Sequence, residues 1–181
     1  MKKLILTLAI ALFSFGMYAQ TTPLSQFEDE DHVTTIVLTE KTFELMAKVS
    51  SDDMDQEAKE MIELIQGLSE LRIYTTENSE VADEMNSVVK EYIKDSNLSE
   101  LLRVNDKDAK VKIYIKEGKD DDHVKELLLF VNEINTEHNK GNRNPESVII
   151  SITGDVDLTK VSSLLNQMNV DTKNTEIKNG N

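Results

Sequence analysis

Two acidic clusters are the first places where chemistry could gather in this chain. Glu28-Asp29-Glu30-Asp31-His32 holds oxygen ligands of the kind calcium takes several at a time. Its acids are consecutive, so they diverge on an extended chain, and no Asp-x-Asp-x-Asp-Gly spacing gathers them; a solvated acidic run is the expectation. Asp120-Asp121-Asp122-His123 is tighter, because a hairpin turn folds such residues back on one another, and it reads as a charged turn that keeps a hairpin end soluble. His32, His123 and His138 each lack a second histidine three or four residues away, so the helical zinc spacing is missing. There is no cysteine, no Gly-x-Ser-x-Gly turn and no Gly-x-Gly phosphate loop. No catalytic, cofactor-binding or metal residue is assigned from the sequence, and no cofactor is expected.

A second pattern points to contact rather than catalysis. Lys110, Lys112, Tyr114 and Lys116 alternate with Val111, Ile113 and Ile115, the period of a strand with one buried and one wet face. The lysines and the tyrosine make a local basic and aromatic stripe on an otherwise acidic protein, and a tyrosine amid charges is a common interface anchor. These four residues are the candidate interaction face.

The composition narrows the partners. Twenty Lys+Arg stand against 34 Asp+Glu, a net charge of −14. Nucleic acid is excluded, since its binding relies on Lys and Arg neutralising phosphates, and anionic membrane surfaces are disfavoured on the same ground. Lys2-Lys3, the apolar run from Leu4 to Phe13 and the small residue Ala19 make a secretory signal peptide over 1–19, too short to span a bilayer. Without a cysteine, no lipobox can carry an acyl chain. The mature chain is expected to be periplasmic or extracellular, with neither membrane span nor lipid anchor.

The elements that would position these residues follow in order. Residues 20–32 read as an exposed acidic lead-in, residues 33–170 as a single α+β domain and 171–181 as a disordered tail. Val33 to Thr39 is rich in β-branched residues and predicts the first strand. Short helices follow around Phe43 and after the capping-box pair Asp53 and Gln56, the second ending at Gly67. Leu71 to Thr75 predicts a strand, Ser79 caps a helix through Val81, Met85, Val89 and Tyr92, and Asn97 opens a short one over Leu98, Leu101 and Leu102. Strands over 110–116, 127–131 and 147–153 then form an antiparallel meander, Gly154-Asp155 turns the chain, and Asp157 caps a last helix through Met168. Leu129, Ile150 and Ile62 are expected in the core, with Met46, Met54, Met61, Met85 and Met168 as fillers. The wet lysine face implies a two-layer α+β domain of about five mostly antiparallel strands with helices packed on one face.

In this order of parts the chain resembles a bacterial envelope family known as domain of unknown function 4252. The resemblance rests on Phe27 before an acidic stretch, Val33-Thr34-Thr35-Ile36, Phe43-Glu44-Leu45-Met46, Leu71-Arg72-Ile73-Tyr74, Lys125-Glu126-Leu127-Leu128 and Gly154-Asp155-Val156-Asp157-Leu158. It covers nearly all of the mature chain and implies a fold and an envelope location. It implies no activity. Many members are lipoproteins, from which this cysteine-free chain departs.

Taken together, these features favour an exported, non-enzymatic binding or protein-interaction module of the cell envelope, with another envelope protein as partner. Two alternatives stand beside it: a carboxylate-dependent hydrolase whose acids meet only in the fold, and a structural or stress-accumulated envelope protein. The absence of Trp argues against a sugar cleft.

Overall fold

A computed structural model describes residues 22–48, 56–107, 109–134 and 145–161. The signal segment, Asp53 and Met54, His138 in the 135–144 loop, and the last helix beyond 161 with Met168 and the tail lie outside the described residues.

Six strands form one antiparallel sheet: β1 (Val33–Thr39), β2 (Leu68–Thr76), β3 (Ser99–Asn105), β4 (Lys110–Glu117), β5 (His123–Asn132) and β6 (Ser147–Asp157), in the spatial order β1-β2-β6-β5-β4-β3. Helices α1 (Glu40–Lys48), α2 (Gln56–Gln66) and α3 (Ser79–Asp95) connect them, and a 3-10 turn spans Pro23–Phe27. The α+β class and the antiparallel meander of the last strands are as expected, with six strands in place of about five.

The sixth strand is β3, where a short helix was expected. Asn97, read as the opener of that helix, closes α3 instead. It sits in the left-handed region at φ 52°, with Leu98 N donating to Ile93 O at 3.0 Å and Asn97 N to Lys94 O at 3.4 Å. This is the Schellman pattern of a helix end, and Leu98 and Ile93 supply its apolar contact. At the other end Asn78, not Ser79, is the cap: its Oδ1 accepts from Glu80 N and Val81 N. Val81, Met85, Val89 and Tyr92 then fall on one stripe that packs on the sheet.

The main core lies between α3, the 3-10 turn and one sheet face. There Tyr74, Leu128, Phe130 and Ile149 are at most 1% exposed. Two residues of the lead-in enter this core, while most of its acidic part, Glu28, Asp29, Asp31 and His32, stays exposed. Leu24 and Phe27 are fully buried, and the Phe27 ring meets Tyr74 edge-on at 6.1 Å between centroids. Arg72 fastens the same segment, bonding Thr22 Oγ1 at 3.0 Å and pairing with Glu28 at 3.1 Å and Glu70 at 2.9 Å.

A second cluster amends the one-sided cover at one end of the sheet. Phe43 of α1 and Ile65 of α2 are buried with Leu68, Val124 and Val156. Leu38, Leu71, Ile152, Leu127 and Ile115 pack against them, and alternation puts these on the face opposite Tyr74 and Leu128. Gly154 and Gly67 lock this end. The strand runs on through Gly154 instead of turning there, with φ 138° and register shifts nearby, and Asp155 N donates to Gly67 O at 2.7 Å. A Cβ on Gly154 would stand 2.3 Å from Gly67 O, so only glycine admits the approach.

Of the residues expected in the core, Ile62 is half-buried and packs on the second cluster, whereas Leu129 and Ile150 are half-buried and belong to neither. The fully buried positions are their neighbours Leu128 and Ile149, because the face shared by Leu128 and Ile149 is the one α3 covers. Of the described methionines read as fillers, Met85 is buried while Met46 and Met61 are exposed.

Candidate functional site

The stripe of Lys110, Lys112, Tyr114 and Lys116 exists, but on the helix-covered face. Register pairs Lys112 with Phe130, Tyr114 with Leu128 and Lys110 with Asn132, all on the side of α3. Tyr114 is a core residue at 8% exposure, and its burial raises the phenol's pKa. This removes it from any exposed stripe. Lys110 and Lys112 are half-buried and Lys116 is exposed. Lys110 pairs with Glu133. Lysine stems can cover apolar surface while their ammonium groups reach water, which is how a basic row borders a core.

One carboxylate of each acidic cluster is engaged within the fold. Glu28 serves Arg72 and also accepts from Tyr74 OH at 3.4 Å. The His32 carbonyl accepts from Thr76 Oγ1 at 2.8 Å. In the β4–β5 turn, Asp120 meets His123 Nδ1 at 2.6 Å, a contact that holds the Asp120 carboxyl below its ordinary range. Lys119 crosses to Asp155 at 2.6 Å. Among the described residues no group of three His, Asp or Glu side chains is placed to hold a metal ion.

One buried carboxyl escaped the sequence reading. Glu126 is 5% exposed and accepts from Tyr92 OH at 2.7 Å. Desolvation pushes the carboxyl above its usual range and, with the Glu126 contact, pushes Tyr92 up as well. Parity could have found it, since Glu126, Leu128, Phe130 and Asn132 share a face. The pair is an internal hydrogen bond beneath α3.

The surface that stands out is the other face. Across all six strands the register aligns Ile36, Ile73, Ile150, Leu129, Ile113 and Leu102 in one row. Beside it run Thr34, Thr75, Val148, Val131, Val111 and Val104. None of these twelve residues is charged, and none belongs to or packs on either core cluster. Ile36, Leu102 and Val104, on the edge strands, are 47%, 46% and 44% exposed, while the central members are half-buried. Among the described residues, α1 and α2 cover only the neighbouring row through Leu38, Leu71, Ile152, Leu127 and Ile115. At the β1–β2 corner this band opens into a groove of about 660 Å³ lined by Thr34 and Thr75 together with Asp31, His32 and Glu77.

No curated protein matches this chain. The model of the family described as domain of unknown function (DUF4252) matches residues 27–164, from the buried Phe27 to just beyond the last described strand. The chain belongs to the DUF4252 family.

Proposed function

We propose that this protein is an exported, non-enzymatic interaction module of the bacterial cell envelope that holds a partner protein on the open face of its sheet. The carrying observation is the band of two rows described above. The band is uncharged, spans all six strands and is exposed at both ends through Ile36, Leu102 and Val104, and contiguous exposed apolar patches mark interaction sites. The signal-like segment 1–19 supports export, and the lack of cysteine supports a mature chain without a lipid anchor. The acidic balance supports a protein partner over nucleic acid.

Two measurements test this reading. Intact mass of the exported protein should show a start near Gln20 and no lipid; a retained signal or an acyl chain would contradict it. A photo-crosslinking residue in place of Ile36 should yield a defined adduct in the native envelope, whereas the same residue in place of Lys90, on the solvent side of α3, should not. No adduct from Ile36 would end the proposal.

A further inference from the structure

We propose that the occupant of the open face is an amphipathic helix of the partner, with an aliphatic stripe and basic flanks. This rests on the binding role above and names the chemistry it would recognise.

Backbone bonding sets the form of the occupant. Every strand under the band except the two at the edges is paired on both sides, so the face offers no free N–H or C=O ladder to an incoming strand. A segment lying on such a surface must satisfy its own backbone groups, which a helix does.

The dimensions agree. Strands spaced about 4.8 Å apart make the band roughly 24 Å long. A helix rising 1.5 Å per residue covers that length with about 16 residues. On the opposite face the 17-residue helix α3 packs in the same way, its apolar stripe against the sheet.

Side-chain chemistry sets the stripe. The band holds Ile, Leu, Val and Thr and no aromatic ring, a smooth β-branched surface suited to Leu, Ile and Val side chains. Charge sets the flanks. The sheet residues Arg72, Arg103, Lys110, Lys112 and Lys116 all share the register of the opposite face. At the band's corner the groove presents the carboxylates of Asp31 and Glu77, on a chain whose net charge is −14. Basic residues beside the stripe would be drawn to that corner and acidic ones repelled.

The test uses the full mature protein and three labelled helical peptides of about 18 residues, long enough to cross the band. One places Leu at i, i+3, i+4 and i+7 with Lys at the other positions, one replaces Lys by Glu, and one keeps Lys but replaces Leu by Ser. Fluorescence anisotropy should show saturable binding of the Leu/Lys peptide, at least about tenfold tighter than either control. Ile36→Lys and Val104→Lys sit at exposed ends of the band, where folding tolerates them, and each should weaken binding about tenfold. Asp31→Asn with Glu77→Gln should weaken it several-fold and flatten its salt dependence.

No binding, equal binding of the Leu/Glu peptide, or binding indifferent to Ile36→Lys would overturn the inference. So would a dimer that Ile36→Lys converts to monomer, because the occupant would then be a second copy of the chain. Failure here with a successful crosslink from Ile36 in the envelope would leave the binding role standing and remove only the partner chemistry. An absent crosslink removes both.

Discussion

The closed and open faces of this sheet are built from the same six strands and differ in a direction that hydrophobicity alone would not give. Under α3 lie Tyr74, Phe130, Leu128, Ile149 and Tyr114, together with the buried polar residues Thr76, Ser147, Ser151, Asn132 and Glu126. The open band holds only aliphatic residues and two threonines. The closed face is therefore the chemically more mixed of the two, held by large rings and by bonds such as that from Tyr92 to Glu126. A face that must meet water gains from polar side chains, so an open face without charges is explained by something that covers it in use.

The largest effect that could break this comparison comes from two consecutive residues of β5. Leu128 is fully buried and Leu129 only half-buried on the opposite side. Leu128→Ala should cost about 2–5 kcal/mol through lost transfer energy and the cavity left behind. Leu129→Ala should cost less, about 1–2 kcal/mol, since part of its surface is already in water. Urea melts of the two variants settle the matter, and equal costs would mean that the open face is as thoroughly covered as the other.

Next in size is the end where the second layer docks. Gly154→Ala places a methyl group against the Gly67 carbonyl at a φ that L residues rarely adopt, and should destabilise by about 1–3 kcal/mol. A neutral result in the same urea melts would mean that the close approach of β6 to the α2–β2 junction is not required.

A smaller effect tests the polar side of the closed face. Tyr92→Phe removes the Tyr92 donor to Glu126, leaving the Ser151 side chain as its other partner, and should cost about 1–2 kcal/mol. Burial raises the Glu126 carboxyl, so the folded state holds that proton more tightly than the unfolded chain does. Its stabilising share is full below the unfolded pKa and is lost as pH rises through the folded one. Glu126→Gln keeps an acceptor for Tyr92 and removes this slope. Its advantage over wild type should be greatest at neutral pH and close in acid. A gap that instead widens in acid would show that the carboxyl is not shifted upward.

Legibility in the sequence followed the same divide. Period-two alternation separated the two faces of β4, because side-chain direction in a strand is fixed by geometry, whereas the apolar run 127–131 of β5 shows no such alternation. What alternation could not tell was which face the helix would cover. The lysines beside Tyr114 made its face read as wet, whereas lysine stems border the core and Tyr114 completes it. The burial of Glu126 was hidden for a related reason, since a glutamate looks solvent-compatible until Tyr92 is placed 2.7 Å away. Asn97 was misread because asparagine both opens and closes helices, and only its positive φ separates the two uses. The open band needed register, a long-range quantity: no single strand shows that Ile36 and Leu102, 66 residues apart, end the same row.

The smallest expected effect is the most discriminating about that band. Ile36 ends the row on edge strand β1 and is 47% exposed. Ile36→Thr keeps the β-branching that suits a strand and gives up only side-chain surface that is already half in water. Stability should change by about 0.5 kcal/mol or less. Surface behaviour should change more, since the substitution interrupts the aliphatic row and should lower retention on a hydrophobic-interaction column. A cost of about 2 kcal/mol would instead place Ile36 under cover in the isolated chain, because only a buried methyl group is lost at that scale. The open face would then be a second core, and the partner would have to be sought on the edge of β3.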